Sequence, residues 1–358
     1  MKKILTVIGA RPQFVKAAPV SRVLRKTFHE VLVDTGQHYD YNMAGVFFEE
    51  LKIPKPDYHL GVGSGTHGAQ TGHMLIKLEE VVLKESPHAM IVYGDTNSTL
   101  AAALVASKLH IPLFHIEAGL RSFNKQMPEE INRVLTDHVS SLKFVPTETA
   151  VRNLAEEGIR EGVHLVGDVM YDAVLYNLKL AKDKYTLKDF GLTKDAYYLA
   201  TIHRAENTDN RERLEAIFRS LDQLSGEKVV LPLHPRTKKK LVEIDLFSFV
   251  EQSQVIQLID PVSYLEMLLL EKQAKGIITD SGGVQKEAYF AKVPCFTLRD
   301  QTEWVETVDI GWNRLVHPVQ DDLRALIQSF EEPPYQEGLY GNGGASDKIA
   351  RVITEYFR

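Results

Sequence analysis

Short apolar runs alternate with amphipathic helical segments along most of this 358-residue chain, and this alternation constrains the fold more than any other feature. The runs are apolar throughout, which is typical of parallel strands that are buried on both faces. Because the connecting loops are short, the pattern predicts doubly wound parallel sheets with right-handed crossovers. In the first half, the predicted strands lie at residues 3–9, 31–35, 89–93 and 113–116, and the segments 144–147 and 165–168 close this half.

The same pattern restarts in the second half, where strands are predicted at residues 198–202, 229–233, 255–258, 277–279 and 295–298. A chain of this length exceeds one ordinary core, so we expect two domains. The predicted limits are an N-terminal Rossmann-like domain at 1–168, a C-terminal Rossmann-like domain at 169–345 and a final helix at 346–358, capped by Ser346 and Asp347. Such sheets bind ligands beyond the carboxyl ends of their strands. Two of them facing each other would therefore enclose one cleft.

Composition narrows the class of protein. The formal net charge is −6 and basic residues cluster only at 238–240, a poor footprint for nucleic-acid binding. No apolar run reaches the length of a membrane span, and the first run ends at residues 9–12, too early for a signal peptide. The single Cys295 excludes an internal disulfide, and the 13 histidines lack metal-ligand spacing. We expect a cytoplasmic protein with no metal, nucleic-acid or membrane partner.

The stretch from Thr279 to Glu287 predicts an anion site. It follows an apolar strand and opens a helix, so Ser281, Gly282 and Gly283 lie at a helix N-terminus, where backbone N–H groups and the helix dipole favour an anion. Two glycines let phosphate oxygens approach the backbone closely. Glu287 lies one helical turn further, placed for a neutral polyol such as ribose. A serine-capped helix explains these residues equally well, but the rest of the chain favours a nucleotide diphosphate.

Ionisable residues collect at the carboxyl ends of the predicted strands. Each has a bland explanation: Asp95 can cap a helix that begins near Ser98, Glu129 and Arg133 form an ordinary i,i+4 pair, and a lone His203 is more often structural. These explanations do not account for the distribution of charge, with acids in one half of the chain and cationic groups in the other. The residues are Arg11, Asp95 and Glu117, then His203, Arg204, His234, Arg236, Asp280 and Arg299.

Six motifs carry a resemblance to a known family. They are GARP at 9–12, GDT at 94–96, EAGLR at 117–121, PEEINR at 128–133, HRAEN at 203–207 and TDSGGVQ at 279–285. Together they resemble the non-hydrolysing UDP-N-acetylglucosamine 2-epimerases over nearly the full chain. The resemblance implies an α/β protein of GT-B architecture, whose last helix returns to the N-terminal domain. It also implies a cytoplasmic homodimer that acts on a UDP-sugar for cell-envelope polysaccharide biosynthesis and needs no NAD or metal.

The family's functional residues match positions of this chain. By the resemblance, Asp95, Glu117 and Glu129 correspond to the acid/base carboxylates, and His203 belongs to the same catalytic set. Arg133 and His234 are expected to support the sugar. The positions expected to bind UDP are Arg11, Lys16, His203, Ser281, Gly282, Gly283, Glu287 and Arg299.

The expected chemistry explains this set of residues. Inverting carbon 2 requires removal of a weakly acidic proton, which a lone carboxylate does poorly. If UDP leaves the anomeric carbon in the same process, a 2-acetamidoglucal forms, and cations with a helix N-terminus stabilise the departing diphosphate. A proton then returns to the opposite face while UDP re-adds, so more than one positioned acid/base is required. The sequence leaves open which carboxylate is the first base.

The chain departs from the usual family pattern at two places that bear on the sugar. Residues 303–306 read EWVE where many members have ERPE, and residues 10–13 read ARPQ where many have TRPE. Both changes resemble relatives that epimerise UDP-2,3-diacetamido-2,3-dideoxyglucuronate, so the sugar stays open, with N-acetylglucosamine in the lead. Gln37, His38 and Gln70 match an allosteric UDP-sugar site of some members, but Ala69 replaces an Arg there, which argues against activation.

Two alternative functions from other classes of protein remain. A UDP-sugar-dependent glycosyltransferase on the same fold, or a nucleotide-sugar sensor without chemistry, would need the same UDP-binding groups. Carboxylates in the N-terminal half favour acid/base chemistry over acceptor docking.

Overall fold

The computed structural model describes residues 1–37 and 51–358, with Arg11 described only in its backbone. The described residues form two compact units, Met1–Leu175 with Glu337–Arg358, and Tyr176–Gln336. Each unit contains one parallel sheet with surrounding helices. This confirms the α/β class with two parallel sheets that the alternation of apolar runs predicted.

The first unit is built on a sheet with the strand order β3-β2-β1-β4-β5-β6-β7. Leu5 on β1 lies opposite Val31 of β2 on one side and Met90 of β4 on the other. Leu5 and Met90 are fully buried, as the apolar pattern of a central parallel strand requires. The elements in chain order are β1 (Lys3–Ile8), α1 (Arg11–Leu24), β2 (His29–Asp34), β3 (Tyr58–His59), α2 (His67–Glu85), β4 (Ala89–Tyr93), α3 (Asn97–Lys108), β5 (Leu113–Ile116), α4 (Pro128–Val139), β6 (Leu142–Val145), α5 (Glu148–Glu156), β7 (Val163–Leu165) and α6 (Val169–Lys184).

The second unit has a sheet with the order β10-β9-β8-β11-β12-β13. Its two cores lie on opposite faces of the sheet, because neighbouring strand residues such as Leu199 and Ala200 belong to different apolar clusters. After a short 3-10 turn at Leu187–Phe190, its elements are β8 (Tyr198–Thr201), α7 (Ala205–Thr208), α8 (Arg211–Asp222), β9 (Val229–Pro232), α9 (Pro235–Glu243), α10 (Phe247–Glu251), β10 (Ile256–Ile259), α11 (Tyr264–Gln273), β11 (Gly276–Thr279), α12 (Gly282–Ala291), β12 (Cys295–Thr297), α13 (Val305–Asp309), β13 (Asn313–Leu315) and α14 (Leu323–Gln328).

The limits of the units differ from those predicted at 168/169 and 345/346. The division falls within α6, after Leu175, and the chain rejoins the first unit at Glu337. The segment after Glu337 packs on the first unit before the last helix begins. Asp168 donates its backbone N–H to the Tyr340 carbonyl at 2.9 Å, and a Cβ on Gly167 would lie 2.8 Å from that same oxygen.

The last helix, α15 (Ala345–Tyr356), packs against α1 of the first unit. The predicted cap by Ser346 and Asp347 is wrong, because both residues lie inside the first turn and the N-cap residue is Gly344. A carboxylate from another helix takes over the capping, since Asp172 accepts hydrogen bonds from the backbone N–H groups of Ala345 at 3.2 Å and Ser346 at 2.7 Å.

Within the described ranges, 1–37 and 51–358, no helix is both long enough and apolar enough to cross a membrane.

Candidate active site

In each sheet, several of the predicted site residues follow the two strands between which the strand order reverses. In the first unit this reversal separates β1 from β4, so the start of α1 and the Gly94–Asp95 turn follow neighbouring strands. In the second unit β8 neighbours β11, so His203 and Asp280 emerge side by side. Such switch points are where doubly wound sheets bind ligands.

Asp95 is bound to Arg133 of α4 through a close ion pair with the guanidinium NH2 group. The bland prediction that Asp95 caps α3 is wrong, because Thr96 caps that helix by accepting the N–H of Thr99 at 3.3 Å. The Asp95 side chain keeps 31% of its surface exposed. Its carboxylate therefore remains accessible beside a fixed cation.

Arg133 also contacts Glu130, whose Oε2 lies 3.1 Å from the NH1 group. Glu130 is buried and accepts the backbone N–H groups of Ser122 at 2.8 Å and Phe123 at 3.0 Å. Arg133 is thus held between two carboxylates, one structural and one exposed. The sequence placed Glu130 only within the PEEINR motif, because its burial depends on the loop that folds back over it.

Glu117 lies in the turn after β5 with a left-handed backbone, φ +68°. Its side chain is only 5% exposed and its Oε2 makes a close ion pair with Lys16 of α1. A Cβ on Gly94 would lie 3.2 Å from that same oxygen, so the Gly94 turn must remain small. The left-handed conformation is unfavourable for a side chain and is maintained here by the surrounding contacts.

The two carboxylates influence each other electrostatically. Burial raises the pKa of Asp95; Arg133 and Lys16 lower it, whereas the negative charge of Glu117 raises it further. The net pKa of Asp95 is above its usual range. A carboxyl group of this kind can hold or release a proton nearer to neutral pH than an ordinary aspartate, which suits acid/base chemistry.

Glu129 is exposed at the first turn of α4, next to the buried Glu130. The helix therefore presents Glu130, not Glu129, toward the interior of the unit. Arg133, the predicted i,i+4 partner of Glu129, forms its ion pairs with Asp95 and Glu130.

Gln13 is a buried residue whose side chain joins two loops, a role that the sequence did not indicate. Its Oε1 accepts the backbone N–H groups of Gly9 at 2.8 Å and Ala10 at 3.1 Å, and its Nε2 donates to the Tyr93 carbonyl at 2.8 Å. The amide thus joins the β1–α1 turn to the end of β4, just before Gly94. Because one end must accept and the other must donate, a carboxylate cannot supply all of these bonds.

The positions matched to an allosteric site lie around the start of α3. Gln37 accepts the N–H of Ser98 at 3.1 Å, and Gln70 accepts a hydrogen bond from the Asn97 side chain at 2.8 Å. Both amides therefore bind residues of this chain. His38 and the Arg11 side chain lie outside the described part of the structure.

In the second unit, Asp280 organises the turn after β8. It is fully buried and accepts the N–H groups of His203 at 3.1 Å and Arg204 at 3.0 Å, and the amide of Asn207 at 3.2 Å. These bonds fix the main chain that carries His203, whose own side chain is 42% exposed. The His203 ring lies 5.7 Å from the ring of His234, which is also exposed.

Burial lowers the pKa of His234, and the neighbouring His203 and Arg236 lower it further, against the opposing charge of Asp280. His234 Nδ1 accepts the backbone N–H of Arg236 at 3.2 Å. His234 is therefore a neutral hydrogen bonder near neutral pH.

The predicted anion site lies at the start of α12, where Ser281 is the N-cap residue and makes no side-chain cap bond. Gly282 is buried and Gly283 is exposed. The Trp304 indole N–H donates to the Gly282 carbonyl at 2.8 Å, so the EWVE segment packs directly against this turn.

Arg299 and Glu303 lie beside the same turn. The Arg299 NH1 group is 3.0 Å from Glu303 Oε2, and Arg299 Nε is buried with no hydrogen-bond partner among the described residues. Burial acts to raise the pKa of Glu303, but Arg299 and Arg204 hold it below its usual range. Glu303 is therefore ionised, and the Nε–H of Arg299 is available to donate a hydrogen bond to an anionic ligand.

Glu287, the predicted ribose position, is buried on α12 and accepts the Tyr264 hydroxyl at 2.8 Å. A second carboxyl group lies nearby, on α11. Glu271 is fully buried, and neither of its oxygens has a hydrogen-bond partner among the described residues. Burial raises the pKa of Glu271 well above its ordinary value, and the negative charge of Glu287 adds to this increase.

We expect Glu271→Gln to stabilise the protein at neutral pH. Folded Glu271 keeps its proton whereas unfolded glutamate loses it near pH 4.5, so the folded state binds more protons and the stability of the wild type falls as pH rises above that value. The fall is about 1.4 kcal/mol per pH unit until the folded group ionises. Urea unfolding at a series of pH values should show the two proteins converging in acid and diverging toward pH 7.

The matched control is Glu80→Gln, an exposed glutamate of α2. It should follow the wild type at every pH. Curves of Glu271→Gln and wild type that stay parallel across the whole pH range would show that Glu271 is ionised in the folded protein.

The structure thus brings Lys16, Asp95, Glu117 and Arg133 together in the first unit. In the second unit it brings together His203, His234, Ser281, Gly282, Gly283 and Arg299, with Glu287 one helical turn further along α12. Glu129 is exposed on the first unit, and none of the ion pairs described above includes it. Sequence analysis named Gln13 and Glu303 only as parts of the ARPQ and EWVE segments, without the contacts that they make. It did not single out Glu271, because one polar residue in an apolar helix has no periodicity that would mark it.

Comparison with known proteins places the chain in a family. A family model described as UDP-N-acetylglucosamine 2-epimerase matches residues 22–354. A UDP-N-acetylglucosamine 2-epimerase homolog of Methanococcus maripaludis is 54% identical, over 98% of this chain and 99% of its own length. The UDP-2,3-diacetamido-2,3-dideoxy-D-glucuronate 2-epimerase of Pseudomonas aeruginosa is 51% identical over 99% of each chain.

Among solved structures, the Methanocaldococcus jannaschii UDP-GlcNAc 2-epimerase in complex with UDP-GlcNAc and UDP superposes with a TM-score of 0.89, at 48% identity and over 99% of each chain. Family match, sequence identity and fold agree over nearly the whole length. This chain belongs to the UDP-N-acetylglucosamine 2-epimerase family.

Proposed function

We propose that this protein is a UDP-sugar 2-epimerase that interconverts UDP-N-acetylglucosamine and UDP-N-acetylmannosamine by elimination and re-addition of UDP. Relatives named for this activity, and a matching structure that contains UDP-GlcNAc and UDP, support the substrate class. The observation that carries the chemistry is the pair Asp95 and Glu117. Asp95 is paired with Arg133 and Glu117 with Lys16, and the negative charge of Glu117 raises the pKa of Asp95.

In the elimination step, one carboxylate takes the proton from carbon 2. The electron pair of the C–H bond forms the C1–C2 double bond, and the C1–O bond breaks with its pair remaining on the diphosphate oxygen. The products are a 2-acetamidoglucal and UDP, and no free carbanion persists. Lys16 holds Glu117 and Arg133 holds Asp95, so that both carboxylates stay close to the reacting carbon.

The leaving diphosphate needs compensating charge. We assign this role to the α12 N-terminus with Ser281, Gly282 and Gly283, and to Arg299, whose buried Nε lacks a protein partner among the described residues. His203, exposed and adjacent to this turn, is placed to contact the phosphates and exchange a proton with them. Arg11 and Lys16 complete the phosphate contacts in this proposal, and Glu287 accepts the ribose hydroxyls.

In the return step, UDP re-adds to C1 and a proton reaches C2 from the opposite face. Two faces require at least two proton carriers, which Asp95, Glu117 and Glu129 supply. Arg133 and His234 support the sugar. The cycle is redox-neutral and returns every atom to the nucleotide sugar, so the proposal assigns it no cofactor.

A specific observation also favours a second substrate, UDP-2,3-diacetamido-2,3-dideoxyglucuronate. The relative named for that sugar is 51% identical. The EWVE segment, one of the two departures from the common family pattern, lies against the phosphate turn through Trp304 and Gly282. The proposal includes a homodimer working in the cytoplasm, as the family resemblance implies.

Proton NMR in D₂O, without any acceptor, tests the reaction on both UDP-sugars. We expect deuterium to enter at carbon 2 and the manno isomer to appear for the true substrate, because the proton removed exchanges with solvent before re-addition. The two sugars compared at equal concentration identify the substrate. Acceptor-dependent UDP release without carbon-2 exchange would instead establish a glycosyltransferase, and binding without turnover would establish a sensor.

A further inference from the structure

His115 is a fully buried histidine between the two loops that carry Asp95 and Glu117. It lies on β5, two residues before Glu117. Its Nε2 is 2.7 Å from the Gly94 carbonyl oxygen, directly before Asp95. Its Nδ1 is 2.7 Å from Asp137 Oδ1 on α4. The ring therefore joins the ends of β4 and β5 to the helix behind them.

The partners of His115 determine its protons. A carbonyl oxygen has no proton to donate, so Nε2 must carry one. At Nδ1 the proton belongs either to the ring or to Asp137. Asp137 Oδ2 accepts the Gly119 N–H at 3.1 Å and the Arg121 NH1 group at 2.8 Å, which favours the ionised carboxylate. A hydrogen bond therefore joins Nδ1 to Asp137, and the ring binds both of its neighbours at once.

The charged groups around the His115 ring are paired with one another. Although burial acts to raise the pKa of Asp137, His115 and Arg121 hold it below its usual range. Arg121 is itself bound at both ends of its guanidinium by Glu157, at 2.7 Å each. On the neighbouring strand, Lys143 lies opposite His115 and bonds to the Glu161 carbonyl at 3.1 Å. A buried cation is tolerated when it is paired and fully hydrogen-bonded in this way.

The same network reaches both sides of the Glu117 turn. Asp137 receives the N–H of Gly119, two residues after Glu117, while His115 precedes Glu117 by two. Gly94 and Gly119 both have left-handed backbones, with φ +60° and +78°, so these turns depend on outside bonds to keep their shape. The His115–Asp137 pair thus fixes the Asp95 turn relative to the Glu117 turn.

We propose that His115 is a positioning residue, which holds the two acid/base carboxylates in register without touching the substrate. This role rests on the proposed function. His115→Asn keeps a donor toward Asp137 but not toward Gly94, and His115→Gln keeps a donor toward Gly94 but not toward Asp137. Both should lower kcat at least about 10-fold, as expected for misplaced catalytic groups, with little change in UDP affinity, since the assigned diphosphate turn lies in the other unit.

Kinetics test the positioning. The control His164→Gln, on β7 of the same sheet, should leave kcat and KM unchanged. Equal kcat for His115→Asn, His115→Gln and wild type would overturn the positioning role. Wild-type protein that epimerises no UDP-sugar would instead contradict the proposed function.

Discussion

Replacing Glu117 by Gln should lower epimerase turnover by about 10²–10⁴-fold while UDP still binds, because general acid/base groups contribute rates of this size. The amide is nearly isosteric but cannot ionise, and its position is 5% exposed beside Lys16. Loss of the ion pair leaves Lys16 without its anion and costs about 1–3 kcal/mol of stability. A purely structural Glu117 would produce that stability loss alone, without the fall in turnover of folded protein.

Steady-state kinetics, UDP titration and thermal unfolding of the same preparations separate these outcomes. Lys16→Met removes the same ion pair and keeps the carboxylate, so it reports the cost of the pair. Glu148→Gln, an exposed acid of α5, serves as a control with normal turnover. Near-normal epimerisation by Glu117→Gln would exclude the acid/base role.

The companion variants Asp95→Asn and Glu129→Gln should fail differently. A variant that can eliminate but cannot return the proton should release UDP and the 2-acetamidoglucal. A variant that cannot remove the proton should release neither and show no deuterium at carbon 2. Glu129 is exposed, whereas Asp95 is bound to Arg133, so we expect Asp95→Asn to have the larger effect of the two.

Gly282→Val should weaken UDP binding by about 10²-fold, which corresponds to the loss of charge-assisted contacts worth about 3 kcal/mol. A Cβ at this position would lie 2.5 Å from Glu303 Oε1 and 3.4 Å from the Arg204 NH2 group. The new side chain therefore displaces Glu303 from Arg299 and fills the space in front of the α12 N-terminus. The fold should persist, because Gly282 does not have a positive φ and begins a helix.

Two further variants separate the causes of that loss. Gly283→Ala adds a methyl group whose nearest neighbour is Ser281 Oγ at 4.0 Å, so it obstructs a ligand without moving Glu303. Glu303→Gln removes the charge without adding volume. The control Gly72→Ala lies in α2, where a Cβ meets nothing within 4 Å. Unchanged UDP affinity in folded Gly282→Val, measured by calorimetry, would remove the phosphate role from this turn.

Sequence periodicity predicted the strands that lie deep in each sheet. The predicted strands at 89–93 and 113–116 are β4 and β5 with the same bounds, because a continuous apolar run has no stable place except between two helical layers. The short edge strand β13 (Asn313–Leu315) was missed, since three residues beginning with a polar one show no period. The positions of Asp95 and Glu117 after their strands followed from the same rule.

Contacts between residues distant in sequence determine several side-chain positions that the sequence did not predict. Spacing alone pairs Glu129 with Arg133, but the loop at Ser122 and Phe123 offers two N–H groups and draws Glu130 inward. Ser346 looks like a helix cap until Asp172, far away in sequence, supplies the acceptor. Glu271 interrupts an apolar run as a surface residue might, and only the packing of α11 shows that it is buried, with no hydrogen-bond partner in the described ranges 1–37 and 51–358.

The return of α15 to the first unit has a consequence for how this protein is made. The last helix covers α1, and its terminal Tyr356 and Phe357 contact Phe114 on β5, with ring centroids 5.2 and 6.2 Å apart. Phe114 directly precedes His115 in β5, the strand that ends just before Glu117. During synthesis, everything up to Leu175 emerges from the ribosome long before this cover exists, while the second unit is contiguous and can fold as it appears. The first unit, which holds the proposed proton-transfer groups, therefore closes only after residues 337–358 have been made. A nascent chain that has not reached them can complete the unit with the proposed diphosphate turn but leaves the other unit unfinished.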